Sequence, residues 1–271
     1  MAILEPFALA IAFLLSYIYD FIASYGFSIA ILTVVINVII FPLTLRQTRS
    51  TKRMQDAQSD IKALQKKHKD NKEELNKAMA AMYKEKGINP LGCILPLIVQ
   101  MPIWFALFRV LREPLSFIPG TSLLFKDLEN STSLTFFNMD LQIPPSEVSE
   151  WIERVPYLVL ILFVILTALY QQQQITKKSN NSNNPQAQQM QMIGKVMPIF
   201  FGFISWTLPT GLVVYFLTGN IFRIGQQALI VKLDDREETK KENTKNEENE
   251  QQNDNPVQEN SRKNRKKRRR K

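Results

Sequence analysis

Residues 27–45 read FSIAILTVVINVIIFPLTL, nineteen positions without a charge. About 20 such residues, rising 1.5 Å each in an α-helix, cross a hydrocarbon core about 30 Å thick. Buried helices of soluble domains typically run only three to four turns, so this stretch reads as a transmembrane span. Residues 91–110, 156–170, 193–208 and 211–231 are predominantly apolar as well. The near-zero mean hydropathy of the chain is therefore an average of two unlike materials. The pattern predicts an all-α polytopic membrane protein with spans at 25–45, 90–111, 156–172, 193–208 and 209–231. The third and fourth apolar blocks are short, and the flanking Lys177, Lys178 and Lys195 are expected to snorkel at the inner surface.

Orientation follows from the loops, because those rich in Lys and Arg stay cytoplasmic. Residues 46–89 carry twelve Lys/Arg against six Asp/Glu, whereas residues 112–155 carry three (Arg112, Lys126, Arg154) against seven. The first is predicted to be cytosolic, the second extracytoplasmic, and the lysine-bearing loop 173–192 cytosolic again. The N-terminus then lies outside and the C-terminus inside. Ahead of the first span, Phe7, Ile11, Leu14, Leu15, Ile18 and Ile22 recur at helical spacing, with Glu5, Ala8, Ala12, Ser16 and Ala23 on the other side. This suggests a helix over residues 1–24 lying in the outer interface. A sixth span is the alternative, since residues 6–19 are nearly all apolar, and it would move the N-terminus inside. The chain opens Met-Ala-Ile-Leu-Glu-Pro, without the cationic start of a secretory signal and without a cysteine to carry a lipid.

Within residues 46–89, Met54, Ala57, Ile61 and Leu64 recur at alternating steps of three and four, as do Leu75, Met79 and Met82 after a polar turn near Asp70 and Asn71. Such seams predict an antiparallel coiled-coil hairpin projecting into the cytosol; a plain solvated linker helix is the alternative. The formal charge of +9 resides almost wholly in one tract, Arg262, Lys263, Arg265, Lys266, Lys267, Arg268, Arg269, Arg270 and Lys271, and everything before it sums to zero. Residues 234–260, with Val257 as their one apolar side chain, cannot bury enough surface to fold and read as a disordered tether within a tail spanning 232–271. A tract of this kind suits ribosomal RNA phosphates or anionic lipid.

One cysteine, Cys93, and one histidine, His68, exclude an internal disulfide and a Cys/His metal cluster. The second span contains Pro96 and Pro102 with Gln100 between them, and proline kinks a helix by removing a hydrogen bond. Thr33 and Asn37 lie one turn apart in the first span, while Tyr215, Thr218 and Asn220 dot the last. Polar residues shared among kinked spans point either to interhelical bonding or to a hydrated cavity between helices. Arg223 sits about 21 Å along the last span from Pro209, where a charge is costly unless it faces water or a partner. It either lines the same cavity as Asn37 or snorkels to inner headgroups beside Gln226 and Gln227.

The stretch Phe41-Pro42-Leu43-Thr44-Leu45-Arg46-Gln47, then Met82-Tyr83-Lys84 leading into Asn89-Pro90-Leu91-Gly92-Cys93-Ile94-Leu95-Pro96-Leu97-Ile98-Val99-Gln100-Met101-Pro102-Ile103, closely resembles the YidC/Oxa/Alb insertases. So do Met197-Pro198-Ile199-Phe200, Pro209-Thr210-Gly211-Leu212-Val213-Val214-Tyr215 and residues 220–227, in family order and spacing. The resemblance implies five helices around a hydrophilic groove open to the cytosol, and a bacterial cytoplasmic-membrane insertase and chaperone for nascent membrane proteins. It also implies a ribosome partner, work alone or with the Sec translocon, function as a monomer and no cofactor. Against the family pattern, the arginine that many members carry in the first span is replaced by Asn37, while the threonine one turn earlier is kept as Thr33.

Two other function classes stand beside this one. A channel or transporter for small solutes would be expected to line a path with charge or to show repeats with broken helices, yet no Asp or Glu lies in the five spans. A scaffold or receptor is the second. Bond-breaking catalysis is not expected, since no nucleophile–base pair, phosphate-cradling loop or intramembrane carboxylate pair is present.

Overall fold

Backbone in hydrocarbon must satisfy its own hydrogen bonds, which favours helices. The computed structural model describes residues 4–88, 95–130, 134–176, 196–233, 236 and 239. Helices α1 (Glu5–Ile22), α2 (Tyr25–Asp56), α3 (Gln58–Lys67), α4 (Lys72–Glu85), α5 (Leu95–Arg112), α6 (Leu123–Glu129) and α7 (Trp151–Thr176) follow in order, with strands β1 (Thr135–Phe136) and β2 (Met139–Asp140) between α6 and α7. Helix α8 is Val196–Ser205, and α9 covers residues 210–225. The chain divides into two compact units after Gly225, and residues 226–233 of the second are also helical.

By length and composition α1, α2 and α7 are able to cross a membrane, and α8 is a shorter apolar helix. Among the described residues α5, with Gln100, and α9, with Tyr215 and Arg223, are not among them. Helix α1 differs from the two-sided helix expected of it. Ala8, Ala12 and Ser16, read as its less apolar side, are buried with Ile11, Leu15 and Tyr19, while Phe7, Phe13, Tyr17 and Phe21 are exposed. Small residues four apart let one helix approach another closely, and α1 packs on α5 and α2 along that seam. The outward face is aromatic, and the two carboxylates of the helix, Glu5 and Asp20, lie near its ends. It ends at Ala23, whose left-handed φ of 50° lets its N–H reach the Tyr19 carbonyl and turns the chain into α2.

Helix α2 runs on to Asp56, past the inner end at residue 45 expected for the span, with Pro42 inside it. The residues beyond 45 are rich in Arg, Gln and Lys, which favour helix, and Thr44 and Thr48 donate to carbonyls four residues earlier at 3.2 and 3.0 Å. The hairpin follows as α3 and α4. Asn71 caps α4, its Oδ1 accepting from the N–H groups of Glu73 and Glu74 at 3.2 Å each. Ala57 and Met82 are buried, and Met54, Ile61, Leu64, Leu75 and Met79 half-buried. Lys86 pairs with Asp60 across the arms, and His68 Nδ1 lies 3.2 Å from Glu74 Oε2 near the turn.

The described residues between 113 and 150, within the stretch 112–155 expected as an extracytoplasmic loop, form a packed cap. Ser122 caps α6 by accepting from the Phe125 N–H at 3.1 Å, and Leu124 and Leu141 are fully buried. β1 and β2 pair antiparallel, Thr135 opposite Asp140 and Phe136 opposite Met139. The cap is tied to the helices: Tyr19 Oη donates to Asp127 Oδ2 at 2.8 Å, the Leu123 N–H to Asp20 Oδ1 at 3.0 Å, and the Asp140 N–H to Tyr157 Oη at 2.7 Å. Phe136 rests on the bare Cα of Gly26, where a β-carbon would fall inside its ring. Gly26→Ala is therefore expected to destabilise the protein by about 1–3 kcal/mol, as overpacking does, read as a lower thermal midpoint in detergent; an unchanged midpoint would refute this seating of the cap.

Candidate functional site

Gln100 of α5 donates through Nε2 to the Tyr215 hydroxyl of α9 at 2.6 Å. Tyr215 is buried, and this bond joins α5 to α9. One turn further along α9 comes Gly219. A methyl group placed there would lie 3.8 Å from Thr33 Cγ2 and 3.9 Å from an Arg223 guanidinium nitrogen. The missing side chain thus leaves a niche between α2 and α9, and Arg223 folds back along its own helix toward it. Side chains on a helix naturally lean toward its N-terminus. Arg223 is half-buried, and among the described residues no carboxylate pairs with it.

On α2, Thr33 is fully buried and donates to the Ile29 carbonyl at 2.7 Å. Asn37, half-buried, donates to the Thr33 carbonyl at 2.7 Å and keeps its amide oxygen for another partner. Gln100, Tyr215, Thr33, Asn37 and Arg223 therefore gather around one seam, with Thr218 half-buried beside Gly219. Asn220 does something else: its Nδ2 reaches the Val164 carbonyl and Thr167 Oγ1 of α7, both at 3.4 Å. That is interhelical bonding, and Thr167 was not anticipated from sequence. Gly219 falls on the helix face of Tyr215 and Arg223 that the sequence already indicates, and a glycine among apolar helix residues is a signal of close approach. Gln47 Nε2, Trp104 Nε1 and Gln174 Oε1 are buried without a protein partner. Residues 89–94, the loop lysines Lys177, Lys178 and Lys195, and the basic tract 262–271 lie outside the described residues.

The 60Kd inner membrane protein family model matches residues 17–238. The chain belongs to this family. It is 31% identical over 237 residues to the membrane protein insertase YidC of Treponema denticola, covering 84% of this chain and 38% of the relative. It is 32% identical over 219 residues to YidC of Pelobacter propionicus, covering 81% and 37%. Arabidopsis thaliana inner membrane protein ALBINO3, chloroplastic, is 30% identical over 223 residues, covering 78% and 47%. The chain thus spans less than half the length of these relatives. A crystal structure of active YidC insertase with its first transmembrane domain resolved shares the fold at a TM-score of 0.52, with 23% identity over 79% of this chain and 43% of that one. The family and the apolar helices together place the protein in a membrane as a multi-pass protein.

The Gln100–Tyr215 bond is open to a direct measurement. In a double-mutant cycle with Gln100→Leu and Tyr215→Phe, the coupling energy is expected near 0.6 kcal/mol and at most about 1.7, the range of hydrogen bonds between membrane helices. Unfolding in bilayers reads it, and a coupling of zero would mean the two side chains do not bond.

Proposed function

We propose that this chain is a membrane protein insertase core that helps nascent membrane proteins enter and fold in the bacterial cytoplasmic membrane, alone or with the Sec translocon. In this reading α2, α5, α7, α8 and the helix begun by α9 are five spans around a groove open to the cytosol. The N-terminus lies outside and the C-terminus inside. The observation that carries it is the seam where Gln100, Tyr215, Thr33, Asn37 and Arg223 converge between apolar helices. A polar segment entering dry hydrocarbon costs several kcal/mol per unsatisfied group. A hydrated groove shortens the dry distance that such a segment must cross. No chemical bond is broken; the driving force is transfer of apolar substrate into lipid, aided by translation or the membrane potential. The chemistry of the site calls for no cofactor.

Arg223 takes the part of the family arginine that Asn37 replaces, attracting acidic segments of a substrate while Asn37 holds water. Arg223→Ala is expected to reduce insertion of substrates with acidic translocated tails about tenfold, the equivalent of about 1.4 kcal/mol. Adding Asn37→Arg should restore it. A double mutant no better than the single one, at equal protein level, would leave Arg223 as an anchor only. Site-specific crosslinkers at Asn37, Gln100 and Tyr215 should capture a stalled nascent chain; no crosslink from any of them would sink the insertase reading. Ion flux in vesicles would instead favour a channel.

The seam of Met54, Ile61, Leu64, Leu75, Met79 and Met82 supports a rigid cytosolic docking arm. The tract 262–271 is a ribosome-binding device, its cations pairing with RNA phosphates and releasing counterions. Deleting it should lower ribosome co-sedimentation at moderate salt, and co-sedimentation equal to the full chain would refute that role in favour of lipid attraction.

A further inference from the structure

Phe27, Ile31, Val34 and Val38 are all exposed, 52, 40, 38 and 54% respectively. Their steps of four, three and four place them on one face of α2, which is the face a spanning helix shows to lipid. At the head of this stripe the cap adds two more rings. Phe136 meets Phe27 edge to face at 5.1 Å, and Phe137 meets Phe136 at 4.5 Å. Phe27 opens the uncharged stretch 27–45 of α2, so the three rings stand at the end of the apolar run. Phe21, 75% exposed, stands on the other side of the Ala23 bend.

Phe137 is the unexplained member. It is 74% exposed, at the tip of the β-hairpin, in a two-residue turn in which both Phe137 and Asn138 have positive φ, 48° and 59°. Turns of this kind are normally made by Asn-Gly or Asp-Gly, since the left-handed region is unfavourable for a residue with a bulky side chain. A phenylalanine here gains nothing for the turn and shows most of its ring to the surroundings. Strained positions of this sort mark sites whose side chain has a task.

We propose that Phe137 is a membrane anchor: the hairpin tip inserts its ring into the boundary between headgroups and acyl chains, extending the lipid-facing stripe of α2 onto the cap. The occupant of the exposed ring is lipid. Continuity with that stripe through Phe27 and Phe136 sets both depth and chemistry, and aromatic rings favour this boundary. The anchor holds the cap down on the bilayer beside the outer end of α2. Only the membrane-spanning character of α2 is required, so the proposal stands or falls separately from the insertase reading.

A nitroxide attached at Phe137→Cys in a Cys93→Ser background tests this, with the protein in phosphatidylcholine–phosphatidylglycerol vesicles and Glu129→Cys, an exposed charged cap position, as the aqueous control. The label at 137 is expected to collide readily with oxygen and poorly with a nickel chelate. Collision with the chelate as frequent as at 129 would overturn the proposal, including the case in which the ring serves a protein partner or substrate. Phe137→Gly gives a second reading, since it relieves the strained turn. Amide hydrogen exchange at residues 135–140 in vesicles should speed up several-fold in the glycine variant and return to normal with Phe137→Trp. Exchange equal to or slower than in the unaltered protein would mean that lipid gives the ring no hold.

Discussion

Hydrocarbon offers no hydrogen-bond partner, and the arrangement of polar groups in this molecule follows from that. Along α2 the hydroxyls and amide of Ser28, Thr33, Asn37 and Thr44 bond to carbonyls one turn back, at 2.7, 2.7, 2.7 and 3.2 Å. Ser205 in α8 and Ser16 in α1 do the same at 2.7 and 2.8 Å. Such self-bonding lets a helix carry polar residues at low cost among apolar neighbours. Other side chains bond from helix to helix, at the α5–α9 and α7–α9 contacts. Arg223 stands apart, since a guanidinium has no acceptor capacity and five donors to satisfy. Its guanidinium turns toward Gly219, beside Thr33 of α2.

The cap obeys the same constraint from the other side. A helix start leaves N–H groups without intrahelical partners. At the start of α9 the N–H groups of Thr210 and Gly211 donate to the carbonyls of Ile143 and Leu141 at 3.1 and 2.8 Å, and Thr210 Oγ1 adds a bond to Ile143 at 2.7 Å. The Ser146 N–H meets the Trp206 carbonyl at 3.1 Å, at the bend out of α8. Gly211 would bring a β-carbon within 3.1–3.3 Å of Ile29, Leu111 and the Leu141 carbonyl, so α2, α5 and the cap converge on this one glycine.

Much of the helical part was legible in the sequence because long apolar runs and three–four periodicity are local signals. The all-α class, the turn at Asn71 and the polar residues Gln100 and Tyr215 could be picked out that way. The pairing of Gln100 with Tyr215 across 115 residues could not. The two sides of α1 were assigned by hydrophobicity, whereas its packing is decided by size: Ala8, Ala12 and Ser16 go inward because they are small. The cap escaped for another reason. Its strands are two residues long, and its turn uses Phe137 and Asn138 where a turn signal would be Asn-Gly. The bend of Arg223 toward Thr33 depends on a missing side chain at Gly219, which periodicity does not weigh.

The bonds at the head of α9 also bear on how the molecule comes to be made. Ile143 precedes Thr210 by 67 residues, so the acceptors leave the ribosome well before the donors they will serve. The segment that holds them has seven acidic and three basic residues in 112–155, and it must sit on the same side of the bilayer as the α8–α9 bend. Until it does, the last helix of the first unit has open amide groups at its end. Completion of this protein therefore waits on placing a charged stretch of its own chain across or against a membrane, and its biogenesis is itself an instance of polar chain meeting lipid.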